Sequence, residues 1–372
     1  MNAERLHRII LEIDEELEQV QTEQTLEQLS NALQNMINSP TTPQYQTDFN
    51  TIKEKFLNSL ELAASNQQTP IWWQTADEIG ASPFLGRHLK QRIELIFARH
   101  QITPAAALEE IKALSKEVKD FSKAINSTIA GLTILNIGVE DLDTGECEIT
   151  YSIPRSYVDE SLKTFHKEVG ELNFILSRFS ELVTGTTEEF RIQTISSSDF
   201  ALYIAIGIPL AKFLAEALDK ILQTYKTILE IRKLKDDLKS KGVSDKETKG
   251  IDAHVNSLMS KQIEAIVTAS MERYAVKEKL GHRANEVENG LVSALNKLAN
   301  RIDKGFQLTI RVEPIEKDED EDNQEEVIND ELSKDIVEIA TTSQRINYLQ
   351  NTGSSILQLP ENTEATLDES DK

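Results

Sequence analysis

The chain has 372 residues, long enough for two or three domains, because single hydrophobic cores stop growing before this length. Hydrophobic residues make up 39% and charged residues 28%, a balance that excludes wholesale disorder and a multi-span membrane protein. The net charge is −23; residues 313–372 hold 18 acidic and 4 basic residues and so carry −14 of it, and the −9 body has no basic stripe, which disfavours direct nucleic-acid binding.

Helices in hairpins are expected over the first hundred residues. Leu6, Ile10, Ile13, Leu17 and Val20 recur three or four apart, and Leu26, Leu29, Leu33 and Ile37 continue the stripe. Ser39-Pro40-Thr41-Thr42-Pro43 breaks it, since each proline lacks an N–H and restricts its predecessor; Ile52, Phe56, Leu60 and Ala63 mark the returning helix. Ser82-Pro83 and Thr103-Pro104 read as helix starts, the second helix reaching about Ser127.

The period then changes. Residues 131–139 and 146–153 are short and rich in β-branched residues, separated by a segment ending in Gly145, and are expected to pair as a β-hairpin. Ser156 with Asp159 resembles a capping box opening a helix that ends near Gly185. A third strand is expected at about 189–196, and a fourth at 306–313 after a helix closed by Gly305, the four forming one small antiparallel sheet.

Between them the longest helical region is capped by Ser198 or Asp199, interrupted at Gly242-Val243 and resumed at Ser244 with Glu247. Ile251, Val255, Leu258, Ile263, Ile266 and Met271 keep a near-heptad spacing there. Val287, Leu291, Leu295, Leu298 and Ile302 mark a third helix. From Ile315 a like-charge block cannot bury enough apolar surface to fold alone, although residues 326–350 retain weak helical spacing. The expected class is α+β, mainly α: helical hairpins or a bundle with long coiled-coil-like helices and one small antiparallel sheet of about four strands. The expected domains are 1–129 (helical), 130–314 (sheet plus long helical hairpin) and 315–372 (an acidic, largely disordered tail with a short helix).

The run from Phe200 to Ala211 is apolar without interruption and extends to residue 218 if Lys212 and Glu216 pair. Its apolar members Phe200, Leu202, Tyr203, Ile204, Ile206, Ile208 and Leu210 are expected on one core helix or, in the alternative, on a membrane-contacting one. Twelve helical residues cover roughly 18 Å of a hydrocarbon core of about 30 Å, so the strict run is too short to span. Trp72 and Trp73, the only tryptophans, are the candidate partner anchors, against the commoner role of filling a helix junction. A strand ending in Ser196-Ser197-Ser198, an apolar helix and then the basic arm at 226–242 (KTILEIRKLKDDLKSKG) resembles the layout of bacterial proteins from mobile-element and anti-phage loci. The resemblance covers about fifty residues and carries no residue role.

Cys147 has no second cysteine to pair with and reads as a small buried apolar residue. The six histidines lack ligand spacing, and the sequence contains no GxxxxGK[ST], GxGxxG or GxSxG. No catalytic residue, metal or cofactor is therefore expected. Met1 leads into Asn2, Ala3, Glu4 and Arg5 rather than an apolar run, and the expected location is cytoplasmic, peripheral to the inner membrane in the alternative. The function expected is that of a non-enzymatic adaptor or structural subunit of a bacterial cytoplasmic multi-protein system, with a protein partner or self-association through helical docking surfaces. The alternatives are a membrane-acting effector using 200–218, with anti-phage defence as its setting, and an acidic nucleic-acid mimic.

Overall fold

The computed structural model describes residues 3–139, 142, 146–159, 161–196, 200–241, 245–274, 283–312, 326–346, 348 and 355–361. It shows an α+β chain, mainly helical, with one four-stranded antiparallel sheet. Two compact units divide it, Met1–Asp141 and Leu142–Lys372.

The first unit is built from α1 (Ala3–Gln19), α2 (Thr22–Asn38), α3 (Pro43–Glu61), α4 (Pro70–Glu78), α5 (Gly86–Arg99) and α6 (Pro104–Ile134). Prolines stand at the starts of α3, α4 and α6, where the missing N–H costs nothing. The expected stripes become the core: Ile9, Ile10, Ile13 and Leu17 meet Trp72, Ala76 and Ile125, while Leu26, Leu29 and Leu33 meet Phe56, Ile93, Ile111 and Val118. Ser82-Pro83 opens only a 3₁₀ turn, Ser82–Phe84, and α5 starts at Gly86. That start is set by Glu16, whose buried carboxylate accepts from the Ser65 N–H (2.5 Å), the Ser65 hydroxyl (2.9 Å) and the Gly86 N–H (3.1 Å).

Residues 131–139 are not a strand. α6 continues through them to Ile134, across the boundary expected at 129/130, and the Ile137 carbonyl then lies 2.8 Å from Nδ1 of His7. A local cluster of β-branched residues was outweighed by helix continuation, and the expected hairpin partner β1 (Cys147–Ser152) is already paired on both sides. Gly145 lies outside the described residues.

The second unit holds the sheet. β2 (Arg191–Ser196), β3 (Ala201–Ile206), β1 and β4 (Gln307–Val312) lie in that order, all antiparallel, with Ile149 of β1 opposite both Ile204 and Ile310. The apolar run at 200–218 is thus corrected. Leu202, Tyr203, Ile204 and Ile206 sit on an interior strand, Gly207 separates them from a helix, and Ile208 and Leu210 lie in the first turns of that helix, α9 (Ile208–Ser240). All six are buried, and Phe200 precedes the strand at φ +46°. An unbroken apolar run has no period, and six residues followed by glycine suit a strand covered on both faces as well as a buried helix. Among the described residues no helix is long and apolar enough to cross a membrane.

The capping box at Ser156 is also corrected. Arg155–Val158 forms a single turn, α7, closed by Asp159 in the left-handed region, and α8 (Leu162–Thr184) starts from Ser161, whose hydroxyl accepts from the Thr164 N–H. α10 (Asp245–Tyr274) packs against α9 through Val255, Met259, Ile263 and Ile266 facing Ile221, Tyr225 and Ile228. Burial on this face of α9 stops near Ile228, since Leu234 is 63% exposed and Leu238 43%, so α9 and α10 are long helices without coiled-coil packing through Leu234 and Leu238. α11 (Ala284–Asp303) lies against α8 and α10. α12 (Glu326–Arg345) realises the helical spacing expected in the tail, burying Ile336 and Ile339 and packing on α9 and β4. Lys212 holds it with ion pairs to Asp335 (2.5 Å) and Glu338 (2.6 Å). Ser198, Asp199 and Ser244, the side chain of Glu247 and the acidic block at 315–325 lie outside the description.

Two substitutions test this packing. Gly86 has φ +40°, and a Cβ there would collide with Oδ1 of Asn66 and Oγ of Ser65, so Gly86→Ala should lower stability by roughly 1–3 kcal/mol in urea titration followed by circular dichroism. Leu210→Asp puts a charge at a position 1% exposed and should unfold the second unit, detectable as loss of its thermal transition, rather than change an attachment to lipid.

Candidate docking site on helix α11

Eleven consecutive residues of α11, Ser293–Asp303, are buried, so its polar side chains lie inside the protein along with Leu295, Leu298 and Ile302. Buried polar groups must find partners, and here the partner is an extended segment, Ser355–Glu361, laid antiparallel along the helix. Oδ2 of Asp303 accepts from the Ile356 N–H (2.5 Å), the Leu357 N–H (2.7 Å) and the Ser355 hydroxyl (2.7 Å), while Oδ1 accepts from the Tyr225 hydroxyl of α9 at 2.8 Å. One turn earlier, Asn300 clamps Leu359 on both sides: its Oδ1 accepts from the Leu359 N–H (3.1 Å) and its Nδ2 donates to the Leu359 carbonyl (3.0 Å). Asn296 donates to the Pro360 carbonyl at 3.0 Å, and Asn256 of α10 accepts from the Gln358 N–H at 2.7 Å. Leu357 and Leu359, two apart and therefore on one side of an extended chain, are both buried.

An ionic cluster closes the end of this track. Arg301, 3% exposed, pairs with Glu168 at 2.8 Å, and Lys297, 2% exposed, with Glu171 at 2.6 Å; Glu361 reaches within 3.9 Å of Lys297 and 3.8 Å of Arg301, and accepts from Asn300 at 2.8 Å. Tyr157 donates to Glu168 at 3.3 Å; burial first, then the Glu168 charge, pushes its pKa up. Beyond Pro360 and Glu361 a cleft of about 1130 Å³ opens between α8 and α11, lined by Lys167, Phe174, Arg178, Asn289 and Ser293 among others. The Phe174 ring lies 5.3 Å from both the Arg178 guanidinium and the Lys297 ammonium.

The tryptophans lie elsewhere. Trp72 is 4% exposed and donates its indole N–H to Glu12 at 2.6 Å, while the half-buried Trp73 stands edge-on to Trp72 and to His88, so both fill the interior of the first unit. Cys147 is buried in β1, and burial, then the neighbouring Glu146, pushes its thiol up to about 12. Among the described residues no group of three or more His, Cys, Asp or Glu is placed to hold a metal ion.

The α11 site was missed in the sequence because Val287, Leu291, Leu295, Leu298 and Ile302 make an ordinary amphipathic stripe, which leaves the intervening polar residues to be read as solvated. A usable signal was present. Asn296 and Asn300, and Lys297 and Arg301, repeat four apart, and carboxylates are absent from residues 289–302 of an otherwise acidic chain. Searches against protein-family models, curated proteins and solved structures found no match to this chain.

Two measurements check the electrostatics. Glu168→Gln leaves Arg301 buried without its nearest counter-charge and should cost about 3–5 kcal/mol in chemical denaturation. At pH 8 the Cys147 thiol should be almost entirely protonated and shielded in the folded protein, so a disulfide-exchange reagent should modify it only after denaturant is added.

Proposed function

We propose that this protein is a non-enzymatic adaptor or structural subunit that docks other proteins on the helices of its second unit. The observation that carries this reading is how α11 uses its polar side chains: Asp303, Asn300, Asn296 and α10's Asn256 bind main-chain groups of the five residues Ile356–Pro360. Amide and carboxylate side chains aimed at peptide N–H and C=O groups recognise extended chain rather than react with a small substrate. The ions beside them are already engaged with each other, which supports orientation and specificity rather than proton transfer. A place in a bacterial cytoplasmic assembly belongs to the same proposal.

The test uses a photo-crosslinking amino acid in the full chain, placed at the exposed Asn289 in the cleft and, as control, at Leu162, which is 80% exposed. In the cells that make the protein, a discrete protein adduct at 289 and not at 162, suppressed by excess unlabelled chain, is the expected result. Adducts confined to small molecules, or none at 289, contradict the docking reading.

A further inference from the structure

The way Ser355–Glu361 is held defines a ligand chemistry. Six hydrogen bonds go to its main chain and would form with almost any sequence, whereas two aliphatic side chains at alternate positions are buried, the exposed proline after them borders the cleft, and the carboxylate that follows meets two cations. We propose that the groove on α8, α10 and α11 is a receptor for an extended aliphatic-x-aliphatic-Pro-acidic segment of another protein, and that Leu357–Glu361 occupies it in cis as a displaceable competitor. The inference rests on the docking reading above and names the partner's chemistry.

Three observations support a groove rather than a mere tie for this segment. Among the described residues, none of the main-chain to main-chain hydrogen bonds involves 355–361, so the segment is not woven into the sheet and depends only on side chains that any equivalent peptide would meet. The acidic position is matched to two cations, Lys297 and Arg301, at the end of the track. The cleft continues past Glu361, where the Phe174 ring lies 5.3 Å from both Arg178 and Lys297, so it offers contacts to peptide residues that follow the acidic one. A covalently attached competitor has a high effective concentration, about millimolar for a short linker, and an incoming peptide must overcome it.

The experiment keeps the cis segment present during folding. A site-specific protease sequence replaces residues 349–354 of the full chain, the folded protein is cut there, and a fluorescent peptide spanning Ser354–Asn362 is titrated into cut and uncut protein by fluorescence polarisation. The peptide should bind the cut protein saturably and the uncut protein at least tenfold more weakly. Leu359→Asp or Glu361→Lys in the peptide should weaken binding at least tenfold, and a designed peptide keeping only Ile-Lys-Val-Pro-Asp in polar flanks should bind within tenfold of the native segment. Loss of the helical circular dichroism signal upon cutting, absence of binding to the cut protein, or indifference to the anchor substitutions would overturn the proposal, as would failure of the designed peptide. The two readings separate cleanly: an adduct at 289 with no peptide selectivity leaves the adaptor standing and removes this ligand, whereas selective peptide binding without any adduct in cells removes the adaptor.

Discussion

The structure of the second unit depends on α11 being buried on its polar side as well as its apolar one. A helix that buries Leu295, Leu298 and Ile302 has ordinary reasons to pack. A helix that also buries Asn296, Lys297, Asn300, Arg301 and Asp303 is stable only if each of those groups is satisfied, because an unpaired buried charge costs several kcal/mol. α8 supplies Glu168 and Glu171, α9 supplies Tyr225, and the extended segment supplies peptide groups and Glu361. The position of Ser355–Glu361 is therefore tied to the electrostatics of the core.

The same logic connects the sheet to the tail. β4 is an edge strand, and edge strands present free N–H and C=O groups. Tyr348 closes one such position, its hydroxyl donating to the Leu308 carbonyl at 2.6 Å and accepting from the Leu308 N–H at 2.9 Å, and burial pushes its pKa well above the usual tyrosine range. With α12 pinned by Lys212, residues 326–348 bridge β4 and α9 before the chain reaches the α11 groove. Among the described residues after β4, a few polar contacts at fixed places thus act together with modest apolar burial at Ile336, Ile339, Leu357 and Leu359.

How much of this was legible follows from which residues repeat with a period. The α1–α3 stripes, the proline-led helices and the strands near 146–153, 189–196 and 306–313 could be read, since each has a clear three-to-four or two-residue spacing. The run at 200–211 could not be assigned, because with no polar residues it shows no period, and its division at Gly207 into strand and helix is set by the partners Ile149 and Ile192 on either side. The candidate site was illegible for a different reason: a lysine or asparagine in a helix reads as solvated until something polar is seen to cover it, and what covers α11 is a segment some sixty residues downstream. Composition marked that downstream region as acidic and weakly folding, which conceals Leu357 and Leu359 as anchors.

Native-state hydrogen exchange across a denaturant series tests most directly whether the α11 side chains, rather than integration into the core, hold the extended segment. The account predicts that the amides of Ile356, Leu357 and Leu359 are protected but open in a step of small denaturant dependence at lower free energy than those of β1, and that Asp303→Asn abolishes the protection at 356 and 357 first. Exchange of these amides only through global unfolding, at the same free energy as β1, would make the segment an inseparable part of the core and contradict the account.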